Sequence, residues 1–566
     1  MSDKAVSQHA EEHAQHYEEP PMDSEAKISA KTLLLLLSIN LIYFAQLVNV
    51  VGSGALPRSI NAAVGGNNND GIWYTQTITI LTAVVGIPVS QAADLWGRKV
   101  FVVFLTIFGF IGSIVIARAN NTEMAIAGFT ITGISYGTQP LLLAITSEVL
   151  ARKYRPWAQA SINISAAIGA ITGLLVGGAW TRSSPDNFRN YWYMVAGMYA
   201  FSAVVCQFLY NPQPRPLQLQ LTVREKLGRL DWIGYAILAP ALTLICMALT
   251  WSQNPYQWTN PHILAPFFIG IALSVALIFY EIHGRSDGMF NHALFRHRNF
   301  PIALGCIFAE GIIFFCANNY FAFEVSVIFG TDDFMTGLHY AIAFISFAFF
   351  AFATGLWCSK TRTVRIPSAT AFGFFMLFCI LMATVDLPRT KESQVWGFPV
   401  FLGAGLGICL TALVTAAHFA TPPELVAITS GLLISIRSLG GSIGLALFNA
   451  IFSNGMSRLG SNIAGAVIPL GYPSSGLAQL IPALANHDTQ ALGNITGASP
   501  EIIAAGYGAV GETYLVGFRY VWVAGGCFSL IATIACLFLE NPVGEFTSKV
   551  DAPAESVSMG EKGEKV

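Results

Sequence analysis

The sequence contains fourteen apolar runs that are each long enough to cross a lipid bilayer as a helix. A membrane helix needs about 20 consecutive apolar residues. Charged residues make up only 11% of this chain, against about 25% in soluble proteins. Because so few charges cannot cover a water-soluble surface, we predict an all-α membrane protein. The runs cover residues 33–55, 73–93, 100–118, 124–146, 158–180, 191–210, 232–251, 262–282, 301–327, 335–357, 366–386, 396–419, 427–453 and 516–539.

Lysine and arginine are distributed unevenly between the two sides that these runs define. With the N-terminus in the cytoplasm, cytoplasmic segments hold 21 of the 30 Lys and Arg residues, and outer segments hold 8. Because positive residues accumulate on the cytoplasmic side of membrane proteins, we predict that both termini are cytoplasmic. The net charge of -2 leaves no basic excess, so we expect no nucleic-acid partner.

The runs group into two helix bundles joined by a linker. The acidic, proline-containing first segment lacks the apolar core of a signal peptide, so we expect a disordered tail. The long outer loop carries a glycosylation sequon at Asn494. The predicted segments are a cytoplasmic tail (1–32), an N-terminal six-helix bundle (33–210), a cytoplasmic linker (211–231), two inserted helices (232–282), a C-terminal six-helix bundle (283–539) with an extracellular loop (455–515), and a cytoplasmic tail (540–566).

A charged motif follows the second run. It combines an acidic residue, Asp94, with a glycine turn at Gly97 and two bases, Arg98 and Lys99. This order predicts a tight hinge at the membrane boundary, with the two bases at the lipid headgroups. A simpler interpretation is an ordinary interfacial charge cluster.

Glycines recur at helical spacing in two of the runs. Spacings of i, i+4 and i+8 make a groove against which another helix can pack closely in lipid. Generic packing is the alternative for each set, but a repeated pattern is typical of secondary transporters. The sets are Gly169, Gly173, Gly177 and Gly178 in the fifth run, and Arg437, Gly440, Gly441 and Gly444 in the thirteenth.

These motifs resemble those of the major facilitator superfamily. The Asp94 motif is similar to the loop between helices two and three of that family, although Ser90 and Leu95 depart from it. The fifth run resembles the antiporter signature of helix five, with Leu174 in place of a proline. Over roughly residues 33–540, the chain is similar to the fourteen-helix drug:proton antiporter branch, in particular to fungal trichothecene efflux pumps, with siderophore transporters as near neighbours.

The resemblance implies a major facilitator fold, with two six-helix bundles plus two extra helices, about 14 transmembrane helices in all. It also implies that Asp94 holds the bundles together at the cytoplasmic face. Many members of the branch carry an aspartate in the first helix and an arginine in the fourth. Val48 and Phe129 stand at those positions here, so the usual proton-handling pair is missing.

Glu310 is the candidate for proton coupling. It lies about ten residues into the ninth run, near the middle of the bilayer, where a charge costs several kcal/mol and marks a function. A hydrogen-bonded structural role is the alternative, as is coupling through Asp94 and Glu148. Glu324, nearer the outer end, is expected to meet water.

Polar and aromatic residues at helical spacing are the candidates for substrate contact. Many aromatic rings and few fixed charges favour an amphipathic, mostly uncharged organic cargo, although each residue could instead join helices by hydrogen bonds. The candidates are Tyr43, Gln46, Asn49, Tyr136, Gln139, Asn318, Asn319, Tyr320, His339 and Tyr340.

We therefore predict a proton-driven exporter of small organic toxins, drugs or secondary metabolites. Uptake of ferric siderophores is an alternative, and a non-transporting membrane sensor is an alternative of another class. The sequence has no HExxH zinc motif and no Walker phosphate loop, so we expect neither an enzyme nor an ATP-driven pump. We expect no metal or cofactor, a monomer in the bilayer, and residence in the plasma membrane, with vacuolar or vesicle membranes as alternatives.

The predicted orientation can be tested with a membrane-impermeant thiol reagent in a variant without native cysteines. We expect Gln218→Cys, in the linker, to react only after cells are permeabilised, because the linker is cytoplasmic. Ser475→Cys, in the predicted outer loop, should react in intact cells. Labelling of the linker from outside would overturn the orientation.

Overall fold

The structure is almost entirely helical. No β-strand occurs among the residues that it describes. This computed structural model describes residues 30–66, 71–212, 218, 221–251, 256–284, 288–331, 333–386, 389–485, 492, 495 and 497–547.

Eight of the described helices form the first half of the chain. A 3-10 turn, Tyr136–Thr138, separates α5 from α6. The helices are α1 (Ala30–Ala55), α2 (Pro57–Val64), α3 (Gly71–Trp96), α4 (Arg98–Ala117), α5 (Thr122–Ser135), α6 (Gln139–Val149), α7 (Arg155–Thr181) and α8 (Phe188–Leu209).

The remaining described helices comprise a short linker helix, two inserted helices and the second half. The linker helix begins with a capping box, in which Thr222 and Glu225 satisfy each other's backbone amides. The helices are α9 (Val223–Arg229), α10 (Trp232–Trp251), α11 (Pro261–His283), α12 (Asn299–Phe329), α13 (Asp333–Thr361), α14 (Arg365–Ala383), α15 (Glu392–Val395), α16 (Pro399–Phe419), α17 (Val426–Met456), α18 (Leu459–Val467), α19 (Leu477–Ala485) and α20 (Pro500–Cys536).

Thirteen helical segments in the described part of the chain are long and apolar enough to cross a membrane. The fourth predicted run, 124–146, is the exception because the 3-10 turn interrupts it and divides it between α5 and α6. The last helix begins at Pro500, before the predicted start at residue 516. Asn494 lies outside the described residues.

Glycines of α7 let it pack closely on α1. A Cβ added at Gly169 would lie 2.7 Å from the carbonyl oxygen of Phe44, and one at Gly173 would lie 3.1 Å from Val51. At Gly177 the added atom would lie 3.2 Å from Leu56. The predicted groove therefore contacts the first helix, while Gly178, half-buried, lies beside it.

The second half repeats this arrangement between α12 and α17. A Cβ at Gly440 would meet the carbonyl oxygen of Phe308, one at Gly441 would meet the Phe315 ring, and one at Gly444 would lie 2.9 Å from Ile312. Gly311 of α12 makes the corresponding close contact with α17, because a Cβ added at Gly311 would meet the carbonyl oxygen of Arg437. The two helices approach at backbone distance, as small residues allow in membranes.

The two halves meet through α3 against α17 and α7 against α13. Ser435 Oγ donates a hydrogen bond to the Ala83 carbonyl at 2.8 Å, and Asn163 Nδ2 donates to Thr411 Oγ1 at 3.0 Å. The inserted helix α10 packs on both α3 and α17, and α11 packs on α10. The inserted pair thus lies outside the contact between the halves.

The segment between α17 and the membrane part of α20 is largely helical rather than an open loop. α18 and α19 pack on the first part of α20 through a separate apolar cluster that includes Ile463, Leu480, Leu484 and Ile502. Asn462 Nδ2 also donates to Thr513 Oγ1 at 2.9 Å. A small helical unit therefore stands at this end of the bundle.

The close contact between α12 and α17 predicts the effect of adding one methyl group. Gly311→Ala should lower the free energy of unfolding by about 1–3 kcal/mol, because overpacking forces the two backbones apart. Gly305→Ala, on the same helix but with no atom within 4 Å of its Cβ, should be neutral or slightly stabilising. Thermal unfolding in detergent measures both, and equal melting temperatures would contradict this account.

Candidate functional site

A cavity of about 590 Å³ lies between the two halves. Its described lining comes from α1, α3, α6, α7 and the 3-10 turn on one side, and from α12, α13, α16 and α17 on the other. The lining is mostly aliphatic and aromatic. Its polar members are Tyr43, Thr75, Thr79, Thr82, Tyr136, Gln139, Gln159, Asn163, Asn318, Ser326, Thr336, Tyr340, Arg437 and Ser438.

Arg437 is the single charged side chain in this described lining. Its Nε donates to Glu310 Oε2 at 2.6 Å and its Nη2 donates to Glu310 Oε1 at 2.8 Å. The guanidinium also lies 4.9 Å from the centre of the Phe314 ring. The side chain of Arg437 is 25% exposed, whereas that of Glu310 is fully buried. The guanidinium of Arg437 therefore faces the cavity, and the carboxylate of Glu310 lies buried behind it.

The packing of α12 on α17 positions this ion pair. Gly311, next to Glu310, rests against the backbone of Arg437, so the two side chains leave their helices at the same level. The sequence places Arg437 only within a glycine motif and gives Glu310 no partner. A signal was nevertheless present, because Arg437 is the single Lys or Arg in the interior of a predicted span, where a charge requires a partner. Arg118 and Arg519 lie at the ends of their predicted spans.

Five of the ten predicted substrate-contact residues line the cavity, contributed by both halves. They are Tyr43, Tyr136, Gln139, Asn318 and Tyr340. A hydrogen bond also holds the Tyr136 side chain in place, because its hydroxyl donates to the carbonyl oxygen of Gln46 at 2.5 Å.

The other five predicted residues lie elsewhere. Gln46 is buried and its Nε2 donates to the Ser135 carbonyl at 3.0 Å and to Thr138 Oγ1 at 2.8 Å, while Asn49 is fully buried within the first half. Tyr320 packs on Phe452, with ring centres 5.6 Å apart. Asn319 is exposed away from the cavity.

His339 is part of a separate cluster. Its ring packs on Trp396 at 3.9 Å, and its Nδ1 contacts the Met335 carbonyl at 2.8 Å. Helical spacing in the sequence groups polar residues on one face of a helix. It does not show whether that face is turned toward the cavity, and only five of the ten predicted residues line it.

A polar layer joins the halves between the cavity and the Asp94 end of the bundle. Nδ1 of His418, in the second half, pairs with Ser147 Oγ at 2.9 Å, and its Nε2 pairs with Ser430 Oγ at 2.8 Å. Gln159 Nε2 donates to Ser147 Oγ at 2.5 Å. Arg155, which is 1% exposed, donates from Nη1 to the His418 carbonyl at 3.0 Å. The cavity is closed on this side.

The Asp94 motif forms a buried charge cluster within the first half. Arg98 Nη2 donates to Asp94 Oδ1 at 3.0 Å, and Arg98 Nη1 pairs with Glu148 at the end of α6. Lys99 instead points outward and donates to Asn211 Oδ1 at 2.5 Å. Gly97 has φ +98°, a conformation that favours glycine and turns the chain between α3 and α4.

The segment Val543–Thr547 crosses the Asp94 end between the two halves. Glu545 pairs with Arg152 Nη1 at 2.5 Å, and the Thr547 carbonyl accepts from the Lys153 amide at 2.8 Å. Phe546 is buried against Phe419 of the second half, with ring centres 4.7 Å apart. This segment therefore adds a second set of contacts between the halves. No pattern in the sequence predicted that Val543–Thr547 would contact both halves.

Glu324 does not meet water, contrary to expectation. It is 1% exposed, and Trp522 Nε1 donates to its Oε2 at 2.5 Å. It is absent from the described cavity lining, which makes it a natural control for Glu310.

Three Gly-x-Ser-x-Gly spacings occur in the sequence, at residues 133–137, 284–288 and 440–444; the last lies inside helix α17, and the serine of the second lies outside the described residues. Such a motif acts as a nucleophile elbow when it forms a turn from a strand to a helix. In the first of the three, Ser135 ends α5, and its Oγ donates to Tyr199 Oη at 3.4 Å in the core of the first half. The residues that the structure describes include no cluster of three or more metal-binding side chains.

Comparisons with known proteins agree with this architecture. The family model described as "Major Facilitator Superfamily" matches residues 39–445. "Efflux pump FUS6" of Gibberella moniliformis is 24% identical over 560 residues, covering 96% of this chain and 95% of that protein. The "Acurin A biosynthesis cluster MFS-type transporter" of Aspergillus aculeatus is 22% identical over 534 residues, covering 94% of this chain and 93% of that protein.

Two solved structures share the fold at low sequence identity. The human organic anion transporter MFSD10 superposes with a TM-score of 0.52 at 13% identity, covering 89% of this chain and 98% of that chain. The proton:xylose symporter XylE gives a TM-score of 0.53 at 12% identity, with coverages of 90% and 95%. With a family model that matches most of its length, this chain belongs to the major facilitator superfamily of membrane transporters.

Proposed function

We propose that the protein exports small amphipathic organic compounds, such as toxins, drugs or secondary metabolites, in exchange for protons. The observation that carries the proposal is the cavity between the halves. Among its described lining residues, the single charged one, Arg437, is neutralised by the buried carboxylate of Glu310. The names of two fungal relatives, an efflux pump and a transporter of a biosynthesis cluster, agree with export.

The lining favours an uncharged, ring-containing cargo. Phe314, Phe315, Phe323, Phe344 and Phe347 offer apolar surface and ring faces. Polar groups such as Tyr340 and Asn318 are few and dispersed, which suits orientation of a ligand by one or two hydrogen bonds. A sugar or a phosphate would require more donors.

The ion pair provides a physical reason for exchange with protons. While Glu310 is ionised, it neutralises Arg437, and the wall of the cavity carries no net charge. A proton on Glu310 would leave Arg437 as an unpaired cation, and an unpaired charge in a dry site costs several kcal/mol. Water would then enter the cavity and displace an uncharged cargo. Proton and cargo thus compete, which is the requirement for antiport.

Transport also requires the halves to separate at the Asp94 end. The layer around His418 and the segment Val543–Thr547 hold that end closed, and the cavity extends toward the opposite end through Gly54 and Thr336. In the predicted orientation this is an outward-facing state. We assign the Asp94 cluster the role of setting the angle between α3 and α4 during the change, and the glycines of α7 and α17 the role of contacts on which the helices turn.

Inside-out vesicles test this function directly. When their lumen is acidified, vesicles with the wild-type protein should accumulate an uncharged aromatic compound such as 2-naphthamide and release luminal protons. Accumulation that needs no proton gradient, or proton-driven movement out of the lumen, would contradict proton antiport. Movement toward the cytoplasmic side would favour an importer.

Glu310→Gln should reduce accumulation in these vesicles at least tenfold and abolish proton release, because the amide leaves Arg437 permanently unpaired. The double variant Glu310→Gln/Arg437→Gln should bind cargo again but show no response to pH. Glu324→Gln removes a buried carboxyl from the same helix and should behave like the wild type. Unchanged proton release with Glu310→Gln would exclude Glu310 from coupling.

The polar layer predicts a shift between conformations. His418→Leu removes the bonds to Ser147 and Ser430, so we expect the Asp94 end to open more often. Spin labels at Lys153→Cys and Thr361→Cys, one in each half, should report a larger population of long distances. Thr354→Ala, which loses a bond only within its own helix, is the control, and identical distance distributions in all three proteins would refute the role of the layer.

A further inference from the structure

We propose that Arg437 is also a binding site for a carboxylate, used when Glu310 takes up a proton, so that the cavity accepts aromatic organic acids together with one proton. This inference rests on the proposed transport through the cavity. It adds a second class of cargo, anionic rather than uncharged, and assigns it the opposite relation to protons.

The geometry of the ion pair shows what such a ligand would replace. Arg437 holds the Glu310 carboxylate through two parallel hydrogen bonds, of 2.6 Å and 2.8 Å. A guanidinium matches any carboxylate in this way. Arg437 faces the cavity, whereas Glu310 is buried behind it. A ligand can therefore approach the cation without first moving the glutamate out of the way.

The surroundings select an aromatic acid. The Phe314 ring lies 4.9 Å from the guanidinium, and Phe315 and Tyr340 line the same cavity. A carboxylate attached to an aromatic ring would place its charge on Arg437 and its ring against these side chains. An aliphatic or highly hydroxylated acid would lack such contacts.

The exchange conserves atoms and charge. The ligand carboxylate forms two N–H···O bonds with Arg437, the two bonds between Arg437 and Glu310 break, and a proton taken up from the buffered aqueous medium joins a Glu310 carboxylate oxygen. The site remains neutral throughout: one carboxylate pairs with the guanidinium and the other becomes a carboxylic acid. Without that proton, Glu310 would remain a buried, unpaired anion, which is strongly unfavourable.

The other titratable groups around the pair stay neutral during this exchange. Among the described residues, Tyr43 on α1, Tyr340 on α13 and Cys409 on α16 interact electrostatically with Arg437 or Glu310. Phenols and thiols ordinarily titrate at about pH 10 and about pH 8.5. The free aromatic acid is ionised between about pH 6 and pH 7.5, since carboxyl groups titrate near about pH 4. Glu310 is the carboxylate that loses its guanidinium partner when this ligand binds Arg437, so the proton goes to Glu310.

Paired ligands test the inference on the full chain in lipid nanodiscs. 2-Naphthoate and its uncharged isostere 2-naphthamide are titrated calorimetrically in buffers of different ionisation enthalpy. We expect the protein to take up as much as one proton for each 2-naphthoate molecule that binds. The affinity for 2-naphthoate should then rise by as much as tenfold for each unit by which the pH is lowered. 2-Naphthamide should bind less tightly as the pH falls and, by the same linkage, should release protons on binding rather than take them up.

Variants separate the contributions of the two residues. Glu310→Gln should bind 2-naphthoate with high, pH-independent affinity and no proton uptake, because Arg437 is always available. Arg437→Gln should reduce the affinity for 2-naphthoate, relative to that for 2-naphthamide, at least tenfold. Glu324→Gln should bind both ligands like the wild type. Each variant is first checked for a single monodisperse peak and for its melting temperature.

The outcomes distinguish this inference from the proposed function. If 2-naphthamide binds and is transported but Glu310→Gln does not prefer 2-naphthoate, the carboxylate site is refuted and export of uncharged cargo stands. If wild-type protein binds 2-naphthoate without proton uptake, the exchange at Glu310 is refuted. If neither ligand binds any of the proteins, both proposals fail.

Discussion

The bidentate pair between Glu310 and Arg437 is the interaction around which the rest of the molecule is arranged. Neither charge could persist alone at the centre of a bilayer, so each requires the other at hydrogen-bond distance. That distance exists because Gly311 brings α12 against the backbone of Arg437. Helix packing, the polarity of the cavity and the chemistry available in it therefore depend on one contact between two helices.

The two halves use the same packing device for different purposes. In the first half, glycines of α7 rest on α1, and the polar groups nearby are neutral, such as Gln46 bonded to Thr138. In the second half, glycines of α17 rest on α12 and support an ion pair. The halves are alike in architecture, but the charged side chain of the described cavity lining, Arg437, comes from the second half, so their electrostatic contributions to the cavity differ.

The apolar runs were sufficient to predict an all-α membrane protein and the approximate position of most helices, because hydrophobic length is a local property of the sequence. The partner of Glu310 was not predictable, since α12 and α17 are distant in sequence and only their crossing joins the two side chains. For a similar reason, helical spacing grouped Tyr43 with Gln46 and Asn49, yet only Tyr43 lines the cavity. Spacing defines a face of a helix but not its rotation in the bundle.

The position of α10 has a mechanical consequence. Tyr235 of α10 donates a hydrogen bond to Gln91 of α3, and Cys246 of α10 contacts Ser442 of α17. The inserted helix therefore contacts one helix from each half. Any rocking of the halves must shear α10 along at least one of these neighbours, and α11 must travel with it through the surrounding acyl chains. We therefore expect the viscosity and thickness of the host membrane to slow such a movement of the halves, although the lipid lies outside the cavity.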